Sequence, residues 1–377
     1  MSEKGVFIEK VANKRSLRDF IGVPWNVYGE TDNWVPPLKI ERQMALSPSQ
    51  GVFQHLSWSG WVAYENGVPV GRISAQIDQS HLSKRGDKTG FFGFLEAVDK
   101  QSIFSELFKR AENWLKERGM TQVMGPFSLN INQEVGLLVD GFDTDPYFMM
   151  PNGLHYYASH LENLAYKKEM DLYAYMIKAS FQPPKVMCKL IGSMPKSMTI
   201  RSINKKDLTN ELEIIRNIFN DAWSENWGFI PFGKTEFQTI GREMLMLIPE
   251  TFIQIASIEG EPAAFIVLLP NVNEAVKDLN GKLWPTGWIK LLYRLKITYP
   301  KSARIPLMGV RKKYHDTKLG PGLALSVVNA LRKPATLNLI DDVEMSWILE
   351  NNSAMSNIIK ILGGYRSKTY RVYKKNL

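Results

Sequence analysis

The feature that most constrains this chain is an internal echo. WVAYENGVPVGRISAQID, from Trp61 to Asp78, matches IQIASIEGEPAAFIVLLP, from Ile253 to Pro270, at an offset of 193 residues. Ala63, Gly67, Pro69 and Ile73 fall in register with Ala256, Gly260, Pro262 and Ile266. Both segments read as β-hairpins: Asn66-Gly67 and Glu259-Gly260 sit where a tight turn needs a positive φ, between β-rich runs. Similar elements follow each one. After the first come a strand from Gly90 to Val98 and a helix whose Ile103, Phe104, Leu107, Phe108, Ala111, Trp114 and Leu115 share a face, with Ser102 to cap its start and Gly119 its end. After the second come a strand, Ile305 to Val310, and a helix carrying Leu323, Val327, Val328 and Leu331, stopped by Pro334. The offset between the helices grows to about 219, as an insertion near residues 271–302 requires. Each half closes on aromatic β sequence, from Tyr166 and from Tyr365. Two copies of one α/β unit are expected, residues 1–180 and 199–377, joined by a linker over 181–198 that Pro183, Pro184, Gly192 and Pro195 punctuate.

Composition narrows the setting. A single cysteine, Cys188, excludes a disulfide framework and any cysteine-rich zinc module, and no metal is called for. No run of about 18 apolar residues could span a bilayer, and the first residues lack a signal-peptide core. The expected location is cytoplasmic, with the inner membrane face as a peripheral option. A net charge of +9 invites a polyanionic partner without naming it.

The most chemical stretch is MGVRKKYHDTKLGPGLALSVVNALRK, from Met308 to Lys333. A strand runs into a basic loop, then Gly320-Pro321-Gly322, then a helix. Glycines let backbone approach a ligand closely, and the N–H groups of a helix start favour a pyrophosphate. Arg311, Lys312, Lys313 and Lys318 add countercharge, with His315 as a phosphate neighbour. A strand from Val343 to Leu349, then Asn352, a short helix and Gly363-Gly364 follow.

This order resembles the C-terminal half of GNAT-type acyl-CoA N-acyltransferases over about residues 200–377. The family's pyrophosphate loop reads Arg/Gln-x-x-Gly-x-Gly/Ala; Gly320, Gly322 and Ala324 fit its small positions, while Thr317 departs from Arg or Gln and leaves the charge to Lys318 or Arg311. The resemblance implies an acetyl-CoA or longer acyl-CoA co-substrate held by Met308, Gly309, Val310, Arg311, Lys318, Gly320, Gly322, Leu323, Ala324 and Asn352. The family's acidic tyrosine falls near Ile359, which cannot donate a proton. The first half resembles the same fold in degenerate form, because its turn EAVDKQSIF carries Glu96 and Asp99 and no glycine pair. The fold class is α/β (α+β): two tandem GNAT-like units, each a mixed, mostly antiparallel sheet flanked by helices. Stretches at Phe20, Phe91, Gly125 and Phe219 resemble a bacterial tandem group that includes the bacterial ceramide synthases, implying an acyl transfer to a small or lipid amine such as a sphingoid base.

For the base, the sequence offers His155 and Glu96; for the acceptor pocket, Asn130 and Tyr156 in one loop pair, Trp227 and Phe229 in another. The insertion DLNGKLWPTGWIKLLYRLKITYPK interleaves tryptophans with lysines and is a candidate for an anionic membrane face, a lid or a packed helix. The alternatives are a Fem-like aminoacyl-tRNA transferase and a non-catalytic acyl-CoA-binding regulator. The glycine pair speaks against tRNA, and so against nucleic acid as the partner.

Overall fold

The computed structural model describes residues 6–29, 33–245 and 248–377. Two compact units form, each discontinuous in sequence. Unit 1 takes the chain up to Leu172, then Val276–Trp288 and Lys368–Leu377; unit 2 takes Tyr173–Ala275 and Ile289–Ser367.

Unit 1 runs β1 (Phe7–Lys10), α1 (Lys14–Val27), α2 (Lys39–Ala45), β2 (Leu56–Glu65), β3 (Val68–Asp78), α3 (Gln79–Arg85), β4 (Thr89–Ala97), α4 (Gln101–Lys116), β5 (Gln122–Gly125), β6 (Phe127–Ser128), β7 (Glu134–Val135), β8 (Leu137–Asp140), α5 (Tyr157–Asn163) and into β9 (Lys167–Lys178). β1, β2, β3 and β4 pair antiparallel in that order, and β4 pairs β5 in parallel. Asn13 starts α1 with a capping box, its side chain accepting from Arg15 and Ser16 N–H groups. The apolar face of α4 lies on the sheet, with Ile103, Phe104, Leu107 and Leu115 fully buried. Ser102 does not cap α4 as expected: the helix starts one residue earlier, and Lys100 stands at its N-cap with no side-chain bond.

Unit 2 contains α6 (Lys185–Gly192), β10 (Met198–Ser202), α7 (Leu208–Ala222), α8 (Lys234–Leu245), β11 (Ile253–Ile258), β12 (Glu261–Pro270), α9 (Val272–Val276) up to Ala275, α10 (Gly287–Tyr293) from Ile289 onward, β13 (Ser302–Val310), α11 (Leu319–Leu337), β14 (Asp342–Leu349), α12 (Ser353–Ile361) and the start of β15 (Tyr365–Asn376). β10, β11, β12 and β13 pair antiparallel and β13 pairs β14 in parallel, the topology of β1 to β5 repeated. The echo is therefore structural. Both hairpin turns use positive φ at both central residues, Asn66 and Gly67 at 52° and 80°, Glu259 and Gly260 at 54° and 83°. Residues 181–198 are not an open tether, since α6 lies within them and packs on α11. Pro334 does not stop α11, which continues to Leu337. Buried Ala335 and the Asn338 amide, donating to the Pro334 carbonyl at 2.8 Å, hold the last turn. Among the described residues no helix is long and apolar enough to cross a membrane.

The last ten residues close unit 1. Tyr373 to Asn376 pair antiparallel with Gly125 to Gln122, and Tyr370 and Arg371 pair with Leu138 and Leu137 of β8. Arg371 grips Asp171 with two bonds, 2.8 and 3.2 Å. Burial raises the Asp171 pKa, but hydrogen bonds from Arg371 and Lys168 outweigh it and hold the carboxyl below its usual range. Replacing Arg371 by Ala should lower stability by about 2 kcal/mol at neutral pH. A depressed carboxyl contributes stability above its unfolded pKa and loses it as pH falls through the folded value, so the wild-type advantage in urea unfolding should shrink under acid.

Candidate functional site

In unit 2 the parallel strands form a fork. β13 and β14 are paired from Ser302 and Asp342 only as far as Ile305 and Met345. Beyond that point Pro306 has no N–H to offer, while β13 stays on β12 up to Val310. Arg311 N–H bonds the Ala263 carbonyl at 2.8 Å, so by antiparallel alternation the polar groups of Met308 and Val310 face away from β12, into the opening. Their carbonyls are engaged: Trp223 Nε1 donates to Met308 O at 2.9 Å, and His315 Nε2 lies 2.7 Å from Val310 O. Their N–H groups are then the donors a carbonyl entering the fork would meet. Trp223 also meets Trp347 of β14 at 6.3 Å between ring centroids. Gly309 keeps the strand close to its neighbours, since a Cβ there would lie 2.9 Å from the Phe265 ring.

A buried ion group sits at the root of the fork. Arg304 Nε donates to Ser346 Oγ at 2.7 Å, Ser346 Oγ donates to Glu344 Oε1 at 2.5 Å, and Arg304 and Glu344 are register partners. No sequence reasoning found this trio. The available signal was a charged residue inside each of two strands, Arg304 in β13 and Glu344 in β14.

The basic loop leads into α11, and both glycines lie within its first turn. A Cβ on Gly320 would lie 2.5 Å from the Tyr314 carbonyl, so this glycine lets the loop fold onto the helix start. Gly322 faces Met194, whose sulfur would be 2.3 Å from a Cβ. Leu323 and Ala324 are buried in the helix packing. Lys318 occupies the N-cap with no cap bond from its own side chain and no ion pair for its amine among the described residues, while Thr317 Oγ1 accepts from the Leu319 N–H at 3.2 Å. The countercharge is smaller than the sequence suggests. Lys312 is bonded to Glu225, Lys313 to Glu261 at 2.9 Å, and Arg311 Nε donates to the Pro262 carbonyl at 2.7 Å. Asp221, Glu261, Pro262, Arg311 and Lys313 line an open pocket of ≈ 370 Å³ of mixed charge. Asn352 caps α12, accepting from Met355 N–H at 3.1 Å. Ile359 is fully buried. Phe229 is buried against Phe219 at 5.8 Å, and Trp227 is half-buried in the same loop.

The equivalent fork in unit 1 is filled by its own chain. β4 and β5 pair from Thr89 to Phe91, and after Pro126 the chain crosses β4 so closely that a Cβ on Gly93 would lie 1.8 Å from Phe127 O. Phe127 meets the Phe91 ring at 5.0 Å, and Gln76 bonds the Phe127 carbonyl. Asp99, before α4, is bonded to His160 Nε2 at 2.7 Å.

Glu96 ends β4 in a half-buried polar cluster. Tyr157 donates to it at 2.7 Å, Arg72 lies 3.9 Å away, and the Tyr28 hydroxyl is beside it. Burial pushes the Glu96 carboxyl above its usual range against the opposing pull of Arg72 and the tyrosines. Arg42 pairs with Glu134 nearby, and both bear on the charge of Arg72. Tyr156 is brought beside Glu96, its hydroxyl donating to Ala97 O at 2.8 Å. His155 is exposed, with its ring 5.6 Å from that of Tyr156. Asn130 is buried; its Oδ1 accepts from Asn132 N–H, and its Nδ2 has no partner among the described residues. Arg72, Tyr28 and Arg42 escaped the sequence reading, although an arginine amid the apolar run of β3 was a visible mark.

A strand order with one parallel pair, opened as a fork beside a glycine-bearing helix start, defines the GNAT class. The chain superposes on a GCN5-related N-acetyltransferase from Sphaerobacter thermophilus with a TM-score of 0.57 at 9% identity, covering 98% of this chain and 95% of that one. A tandem GNAT protein from the clavulanic acid biosynthesis pathway gives 0.55 at 11% identity over 99% and 98%. No protein-family model matches. In sequence the chain is 47% identical over 368 residues to Protein YghO of Escherichia coli (97% of this chain, 94% of the relative), and 40% identical over 370 residues to the bacterial ceramide synthase of Caulobacter vibrioides (97% and 96%). It belongs to the family of those two proteins, and with that family and fold it is an N-acyltransferase.

Two substitutions test the geometry. Glu344→Ala leaves Arg304 without its buried counter-charge and should cost about 3–5 kcal/mol in denaturant unfolding. Gly320→Ala has to displace a backbone carbonyl and should cost about 1–3 kcal/mol, whereas Gly322→Ala meets only a flexible methionine and should cost less.

Proposed function

We propose that this protein transfers a long-chain acyl group from acyl-CoA to the primary amine of a lipid, with a sphingoid base as acceptor. The open fork of unit 2 carries the catalytic part of this reading. The acyl carbonyl enters beside Met308 and Val310, the pyrophosphate lies at the start of α11 near Lys318, Gly320 and Gly322, and Asn352 lies along the pantetheine arm. The acceptor class is supported by full-length relatedness to a protein named bacterial ceramide synthase. The amine attacks the thioester carbonyl, charge develops on its oxygen toward the two strand N–H groups, and collapse breaks the C–S bond and expels the CoA thiolate, which takes its proton from solvent because Ile359 has none to give. Glu96 is the proposed proton acceptor, ahead of His155, because it is half-buried, hydrogen-bonded and held above the ordinary carboxylate range. Asn130, Tyr156, Trp227 and Phe229 are the proposed acceptor contacts, and the cytoplasm is the proposed location.

Free-thiol release from palmitoyl-CoA should depend on an added sphingoid amine and yield one amide per thiol. Lys318→Ala should raise KM for acyl-CoA about five- to tenfold with kcat nearly unchanged, a loss of uniform binding. Glu96→Gln should lower kcat at least about 100-fold. Since Glu96 must be ionised to act, wild-type activity should rise with pH through a limb above the usual carboxylate range, and the variant should lack that limb. Tight CoA binding with no thiol release for any amine would instead favour an acyl-CoA-binding regulator, the reading that Ile359 supports.

A further inference from the structure

The insertion between β12 and β13 leaves and rejoins its strands through a hydrogen-bonded neck. Asn271 N–H bonds the Ser302 carbonyl at 2.9 Å, and the Glu274 carboxylate accepts from the Lys301 and Ser302 N–H groups, each at 2.9 Å. Farther out its chain is pinned again. Trp25 Nε1 donates to Asn280 Oδ1 at 2.6 Å, Lys277 pairs with Asp145 at 2.8 Å, and Lys39 N–H bonds the Gly281 carbonyl at 3.0 Å. Between these anchors, α10 and the π-helical turn Arg294–Thr298 present an inverted helix. Leu291, Arg294 and Leu295 are half-buried, while Trp288, Ile289, Leu292, Tyr293 and Ile297 are exposed at i, i+1, i+4, i+5 and i+9. Trp284 just before them is 80% exposed and Ile297 68%. Six of the fifteen large exposed apolar side chains among the described residues fall within these fourteen positions, so the apolar surface is concentrated.

The charge along this segment has one sign. From Leu279 to Ala303 the chain carries Lys282, Lys290, Arg294, Lys296 and Lys301 and no acid. A second copy meeting this face about a two-fold axis would set these cations against themselves. An anionic bilayer offers the complement to both properties: acyl chains for the tryptophans and aliphatics, headgroup phosphates for the lysines. We propose that residues 284–297 form an anionic-membrane docking face, with Trp288, Ile289, Leu292 and Ile297 inserted at the headgroup boundary and Lys290 and Lys296 at the phosphates. The assignment rests on exposure and charge, and stands whether or not the acceptor is a lipid.

The test is sedimentation of the full chain with vesicles. Wild type should pellet with phosphatidylglycerol-containing vesicles, not with pure phosphatidylcholine, and binding should fall at high salt. Lys290→Glu with Lys296→Glu should weaken binding at least about tenfold. Trp288→Ser with Leu292→Ser should abolish it with charge unchanged, and both variants should keep the wild-type melting temperature because the replaced side chains are solvent-exposed. Failure of the wild type to pellet would overturn the proposal, as would equal binding by both variants. A concentration-dependent dimer that Trp288→Ser with Leu292→Ser disperses, in a chain that ignores vesicles, would give the face to a second copy. None of these readouts uses thiol release, so the docking face and the transferase reading fail separately.

Discussion

The first unit depends on residues that belong to the end of the chain. Its sheet is completed by Tyr373 to Asn376 against β5, its core includes the fully buried Tyr373, and its β9 segment is tied down by the two bonds between Arg371 and Asp171. Unit 1 also receives Val276–Trp288, while the later part of β9 serves unit 2. Two copies of one topology are thus each finished by chain from outside their own half. A cut in the middle of the sequence would leave unit 1 with an unpaired β5 edge and exposed core, the kind of edge that associates non-specifically.

The same topology supports opposite outcomes at the two forks. In unit 2, Pro306 ends the parallel pairing, an Arg304–Ser346–Glu344 group fixes its root, and the strand N–H groups beyond are left facing an opening. In unit 1 the chain after Pro126 turns back over Gly93, and Phe127 occupies the corresponding place. The helix starts differ in the same sense, with two glycines in the first turn of α11 and an Asp99–His160 pair before α4. One unit keeps its fork open, and the other uses the equivalent space for packing.

The hairpins were legible because Asn66-Gly67 and Glu259-Gly260 are strong local signals, and the helices because their apolar faces keep period. The forks were not, since where two strands stop pairing is decided by partners distant in sequence: Ile305 and Met345 are forty residues apart, and Pro306 marks the end of pairing only once the partner strand is known. The phosphate-loop glycines were visible, but their contacts were not. Gly322 meets Met194 from a segment that reads as a linker, and Lys312 and Lys313 look free in sequence although acids from other elements engage them. The Glu96 cluster was half-read. The carboxylate stood out at the end of an apolar strand, but Arg72, Arg42 and Tyr28 join it only through tertiary packing.

A ribosome delivers this chain from the N-terminus, and β15 follows every other strand described. Most of unit 1 has emerged long before the strand that completes it exists, so the nascent protein holds an open sheet edge through the synthesis of the entire second unit. Folding of the first-made part therefore waits on a strand made after the second unit, and a chain lacking Lys368–Leu377 leaves its earliest residues unfinished.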